Sequence, residues 1–145
     1  MVRREEMERM EVVISYLEEP CIDGCNGIWF KHAEEVLKNN AIEVNTFTEA
    51  MRNCLTKGRQ KFNNIMLTGP TNCGKSFLLD PLELMFKCFT NPTADKYAWV
   101  PLEGCEVALI NELRWTEEFI RWSDFLLLLE GPQKWCDARK WSVWK

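Results

Sequence analysis

The sequence predicts an α/β fold with a parallel sheet at its core, preceded by a helical segment, on three observations. First, an apolar run, Asn64-Ile65-Met66-Leu67-Thr68, ends in a glycine-bounded loop, and a helical pattern follows from Lys75. Second, two more apolar runs, Tyr97-Ala98-Trp99-Val100 and Glu106-Val107-Ala108-Leu109-Ile110, stand between that helix and another. Third, the residues before the loop repeat their apolar positions at helical spacing. Strand, loop, helix, strand, strand, helix is an order that favours parallel pairing. The expected organisation is a helical segment over 1–60, a core over 61–131 and a basic, tryptophan-rich tail over 132–145.

Taken in order, MVRREEMERMEVVISYLEEP mixes both charges and reads as an exposed helix that Pro20 ends. Its longest apolar run, Val12-Val13-Ile14, is far too short for a signal sequence or a membrane span. Phe30, Ala33, Val36 and Leu37 place a helix over 29–38, with Asn39-Asn40 as its stop. Thr46-Phe47-Thr48-Glu49 has the form of a capping box, a hydroxyl and a carboxylate each satisfying an orphan N–H. Behind it Phe47, Ala50, Met51, Cys54 and Leu55 share one face, and Gly58 suits the C-terminal cap.

Asn64–Thr68 reads as a buried strand, and 75–89 as a helix with Phe77, Leu78, Leu82, Met85, Phe86 and Phe89 apolar. Pro81 falls inside that helix, where a missing donor costs about 3 kcal/mol, so a kink or break is expected at Asp80-Pro81. Thr90-Asn91-Pro92 ends it. After the two further strands, Thr116 is placed to cap a helix with Glu117 and Glu118 in its first turn. That helix runs through Leu126 to Leu129 and stops near Gly131.

A formal charge of −4 gives the chain no general attraction for nucleic acid, though a local basic loop remains open. Seven scattered cysteines, without a regular framework, point to a reduced, intracellular protein, with nucleus and cytoplasm not separated. Cys21, Cys25 and the single histidine, His32, fall short of the four ligands of structural zinc.

The loop itself reads Gly69-Pro70-Thr71-Asn72-Cys73-Gly74-Lys75-Ser76, the spacing G-x-x-x-x-G-K-S. A strand turning sharply into a helix presents backbone N–H groups and a positive dipole end to an anion. Glycines at 69 and 74 let the backbone approach the oxygens, Lys75 reaches the β and γ phosphates, and the Ser76 hydroxyl can ligate magnesium. ATP with Mg2+ is the expected ligand, and a glycine turn with an exposed lysine is the plain alternative. Hydrolysis also needs an acid at the end of a neighbouring strand. Val107–Glu112 supplies that position: Glu112 is the candidate catalytic, magnesium-linked acid, and Asn111 stands where a second acid is usual. The alternative is that Glu112 is merely polar where a strand leaves the core.

These residues together resemble the superfamily 3 helicases, the replication ATPases of small DNA viruses and related mobile elements. Parvoviral non-structural proteins and papillomavirus replicative helicases are of this kind. The resemblance covers about residues 25–131. It rests on the Gly-Pro-x-Asn-x-Gly-Lys-Ser form of the loop, on Trp29 and Ala33 to Asn40, on Phe47, on Gly58-Arg59-Gln60-Lys61, and on the strand ending in Asn111-Glu112 with Arg114-Trp115 beyond. It implies an AAA+-like P-loop fold, a homo-oligomeric ring, ATP use and movement on single-stranded DNA, with no membrane partner. Carried over, Lys75 and Ser76 match the phosphate and magnesium contacts and Glu112 the second Walker acid. A basic hairpin that touches DNA in the family begins near Leu129-Glu130-Gly131. The tail interleaves Lys134, Arg139, Lys140 and Lys145 with Trp135, Trp141 and Trp144, which could stack on bases or be merely sticky.

The family's sensor strand, which lies between the loop strand and the Walker-acid strand, and its arginine finger have no counterpart before Lys145. The expectation is therefore an incomplete core with weak or no ATPase activity alone. Two alternatives stand beside it. One is another P-loop enzyme, although a kinase lid needs late arginines and only Arg139 follows Arg121. The other is a non-catalytic fragment that joins or blocks a ring.

Overall fold

The computed structural model describes residues 8–21, 23–58, 63–91, 98–111 and 115–130. They divide into two compact units, Met1–Gly58 with Ile65–Met85 and Arg59–Asn64 with Phe86–Lys145.

The first unit is helical. It contains α1 (Arg9–Leu17), α2 (Ile28–Asn39), α3 (Val44–Lys57) and α4 (Lys75–Met85). Helix α1 packs on α3 and α4, and α2 packs on α3. Arg9 Nε donates to the Leu55 carbonyl at 2.9 Å, tying α1 to α3. Ala33, Leu37 and Leu78 are buried together, with Val36, Ile42, Val44, Phe47 and Phe77 packed around them. Of the apolar positions read from 29–38, Ala33, Val36 and Leu37 thus lie on the core, whereas Phe30 is 57% exposed.

Helix α3 starts earlier than the capping box at Thr46 and Glu49 implied. Its N-cap is Glu43, so Thr46 already lies inside the first turn. The cause is the turn before it. Ile42 N–H donates to the Leu37 carbonyl at 2.9 Å and Ala41 N–H to Lys38 at 3.0 Å, which is a Schellman closure of α2. That closure seats Ile42 against Leu37 and puts Val44 on the core, so packing sets the helix start ahead of side-chain capping. It also holds Ala41 at φ +56. A left-handed residue other than glycine carries roughly 1–2 kcal/mol of strain, and glycine's freer unfolded chain offsets part of any relief. Ala41→Gly is expected to stabilise the first unit by about 0.5–1 kcal/mol, read as a raised urea midpoint. A lowered midpoint would mean that Ala41 is unstrained.

Two further expectations are corrected here. Residues 65–68 join no strand. Burial still alternates along them, with Ile65 and Leu67 half-buried, but Met66 is 86% exposed. An apolar run holds a strand only when a ladder satisfies its backbone, and the sheet of the described residues contains two other strands. Pro81 does not break α4, which runs through it to Met85. Leu78 before it and Leu82 after it are both buried, which holds the helix together across the missing donor.

In the second unit, β1 (Cys88–Thr90) and β2 (Val107–Leu109) pair in parallel, Phe89 opposite Ala108. The helix expected over 75–89 therefore stops short of Phe89. Glu106 explains this: its N–H donates to the Lys87 carbonyl at 2.9 Å and its carboxylate accepts the Lys87 N–H at 2.8 Å. The expected strand at 97–100 is not formed among the described residues. Ala98 and Trp99 form a turn into a 3-10 helix at Val100–Leu102, with Pro101 in its first turn. A proline supplies no ladder donor, and the Trp99 ring is completely buried. It stacks on Phe89 at 5.8 Å, meets Phe119 edge-on at 5.7 Å and donates its indole N–H to the Phe119 carbonyl at 3.3 Å.

Helix α5 spans Trp122–Glu130, later than the Thr116 cap implied. One turn does close on the Thr116 carbonyl, which accepts from Phe119 and Ile120. It does not continue, and two indoles bond carbonyls at its end, Trp99 on Phe119 and Trp115 on Ile120 at 3.0 Å. The chain restarts at Arg121, whose carbonyl accepts from Asp124 and Phe125.

Candidate functional site

Residues 69–76 form a tight loop that opens α4, and they lie within the helical unit. The loop closes around its own lysine. Lys75 Nζ donates to the carbonyls of Gly69 at 3.0 Å and Pro70 at 2.7 Å, and it lies 3.4 Å from Cys73 Sγ. The ammonium is thereby held inside the turn rather than extended into solvent.

Gly74 is required twice over. Its φ is +89, and a Cβ built there would lie 2.6 Å from Val36 Cγ1 and 3.0 Å from Cγ2. Val36 sits on α2, so that helix forms the floor beneath the loop. Asn40, just past the end of α2, donates from Nδ2 to the Val36 carbonyl at 2.7 Å and to the Cys73 carbonyl at 3.2 Å. The Trp29 and Phe77 rings, 5.4 Å apart, join α2 to the start of α4. The loop is fastened to α2 at three places.

Thr71 and Asn72 form the exposed tip, with Asn72 at φ +62. Cys73 is half-buried, and Ser76 is exposed as the second residue of α4. Among the described residues the N–H groups of Gly74, Lys75 and Ser76 have no protein acceptor. Such orphan donors at the start of a helix are suited to an anion.

Glu112, Arg114 and the tail over 132–145 lie outside the described residues. Asn111 follows β2 in the second unit, its N–H donating to Asn91 Oδ1 at 2.7 Å. Cys25 precedes α2, and its thiol is held below its ordinary pKa by a hydrogen bond with Cys21 and then by the Gly27 N–H. His32 pairs with Glu35 at 3.6 Å on the exposed face of α2. Among the described residues no three His, Cys, Asp or Glu side chains are grouped to hold a metal ion. No helix among them is long and apolar enough to cross a membrane.

Val36 and Asn40 are the loop supports that sequence reasoning missed. Val36 registers as an apolar helix position and Asn40 as a helix stop, both within the stretch that carries the resemblance, and neither is read as touching the loop. The second glycine of the motif signals a close approach, but nothing nearby names the partner.

The family model described as Papillomavirus helicase matches residues 1–137. A curated relative, Replication protein E1 of European elk papillomavirus, is 38% identical over 80 residues. That match covers 53% of this chain and 13% of the relative, so the chain spans a small part of that protein's length. No solved structure matches the chain.

Proposed function

This chain belongs to the papillomavirus helicase family, and on that premise we propose that residues 69–76 bind the triphosphate of ATP together with magnesium. One observation carries the reading: the Lys75 ammonium is gripped at 3.0 and 2.7 Å inside a glycine-bounded loop at the start of a helix. Within this reading the N–H groups of Gly74, Lys75 and Ser76 take the phosphate oxygens. Gly69 lets the chain turn, while Pro70, Thr71, Asn72 and Cys73 form the rim. Lys75 neutralises the β and γ phosphates from its place in the turn.

The donor set also fits magnesium. Ser76 offers one exposed hydroxyl, and Mg2+ takes few protein ligands beside phosphate oxygens and water. The ion would screen the charge between phosphates. Glu112 is assigned to the same chemistry as the acid that activates water. The full reading is an AAA+-like, superfamily 3 ATPase core that works in DNA replication as a homo-oligomeric ring on single-stranded DNA inside the cell. Nucleotide binding is the step assigned to this chain alone, with weak hydrolysis or none.

The test is titration of a fluorescent ATP analogue, with and without magnesium, into the wild-type chain and Lys75→Ala. Magnesium-dependent binding should weaken about 10- to 100-fold in the variant, the worth of a hydrogen bond to a charged group. Equal affinities in the two proteins would overturn the reading.

A further inference from the structure

We infer that Asn40 is a positioning residue for the phosphate loop, aiming the Gly74 N–H at the bound anion. This rests on the nucleotide reading above and adds a residue from outside the motif.

The inference follows from the planarity of one peptide. The Cys73 carbonyl and the Gly74 N–H belong to the same unit, and the chain has no cis peptide bond among the described residues. In a trans peptide these two groups point in opposite directions. Asn40 Nδ2 holds the carbonyl at 3.2 Å, on the side of α2. The N–H is therefore turned away from α2, and among the described residues it has no protein acceptor.

Asn40 is itself fixed, because the same Nδ2 bonds the Val36 carbonyl at 2.7 Å. The residue stands at the closed end of α2, where the Schellman turn sets its backbone. Without that amide the 73–74 peptide has a competing arrangement. Flipped, its carbonyl would face the anion and repel it, while its N–H would face α2. Gly74 lacks the Cβ that would hinder such a flip, so the loop's most permissive residue needs an outside restraint. Asn40 supplies it from 33 positions away in the sequence.

The experiment uses the full chain as wild type, Asn40→Ala and Asn40→Gln. Each is titrated with inorganic triphosphate and with the magnesium-bound fluorescent ATP analogue, and the 15N–1H resonance of Gly74 is followed. In wild type the Gly74 amide should move strongly downfield on binding triphosphate. Asn40→Ala should weaken binding about 10- to 100-fold, as expected for one lost hydrogen bond to a charged group. Even at saturation its Gly74 amide should stay near its free position. Asn40→Gln keeps an amide donor and should recover part of both. A merely structural role for Asn40 would lower the melting temperature of Asn40→Ala yet leave the saturated Gly74 shift at its wild-type value, and that result overturns the inference. Wild-type binding with unchanged Asn40→Ala affinity overturns it as well, leaving the nucleotide reading intact. Absence of binding by the wild-type chain overturns both.

Discussion

Gly74→Ala should destabilise the helical unit by roughly 2–5 kcal/mol, the sum of a left-handed backbone penalty and an overpacked contact. The methyl group would meet Val36 Cγ1 at 2.6 Å. Val36 cannot turn away cheaply, because a β-branched side chain in a helix has one favoured rotamer. Its neighbours Leu37 and Ala33 are buried, so α2 cannot shift without opening the core. The double variant Gly74→Ala with Val36→Ala separates the two costs. Removing the Val36 methyls should restore the steric part and leave the strain of φ +89, so the two changes should couple favourably in a double-mutant cycle. Urea unfolding followed by far-ultraviolet circular dichroism measures each term. A Gly74→Ala protein as stable as wild type would refute the packing of the loop on α2.

Trp99→Ala should cost the second unit about 3–5 kcal/mol, the usual range for emptying a large buried aromatic site. The ring lies between Phe89 on β1 and Phe119 before α5, so it joins the sheet to the helix. Ile120, Leu128 and Ala98 are buried in the same cluster. Loss of the ring would also leave the Phe119 carbonyl without its indole donor. Trp99→Phe tests that component, since it keeps much of the packing and removes the N–H. It should cost about 1–3 kcal/mol, part of it from the unsatisfied carbonyl. The check is denaturant unfolding read by near-ultraviolet circular dichroism, which reports packed aromatic rings. A change below about 1 kcal/mol in Trp99→Ala would refute the central place given to this residue, because core truncations of this size exceed it.

Legibility in the sequence followed the range of the interactions. Helix α2 was legible because its period is local: Ala33 and Leu37 are buried as the spacing required. Strand β2 was legible as an apolar run of β-compatible residues, but its partner was not, because β1 falls at Cys88–Thr90, where the sequence reads as a helix and its stop. The loop was legible because a glycine–lysine–serine spacing encodes its own geometry. What failed depended on contacts that the local pattern does not name. The capping box at Thr46 was overruled by a turn closing ahead of it, Ile42 on Leu37, and the turn at Thr116 ends at Ile120 before α5 begins. Helix α4 survived Pro81 through burial on both sides of it, which propensity alone does not register. At the site, the motif gave the residues of the loop and none of those outside it that hold it still. Val36 and Asn40 belong to α2 and the turn that ends it, and no local pattern links them to residue 74.

The parallel register of β1 and β2 bears on the order in which the chain acquires structure. Parallel strands cannot meet through a tight hairpin. The chain between Thr90 and Val107, with Trp99 in its middle, must close before Phe89 can face Ala108. The turn from α2 to α3, by contrast, closes between Leu37 and Ile42. Non-local pairing incurs loop-closure entropy before any contact compensates it and is slow for that reason. During synthesis, which proceeds from the N-terminus, α2 and α3 can pack before β2 has left the ribosome. Until β2 arrives, β1 offers an open edge, and that interval is when this chain is most exposed to pairing with a strand other than its own.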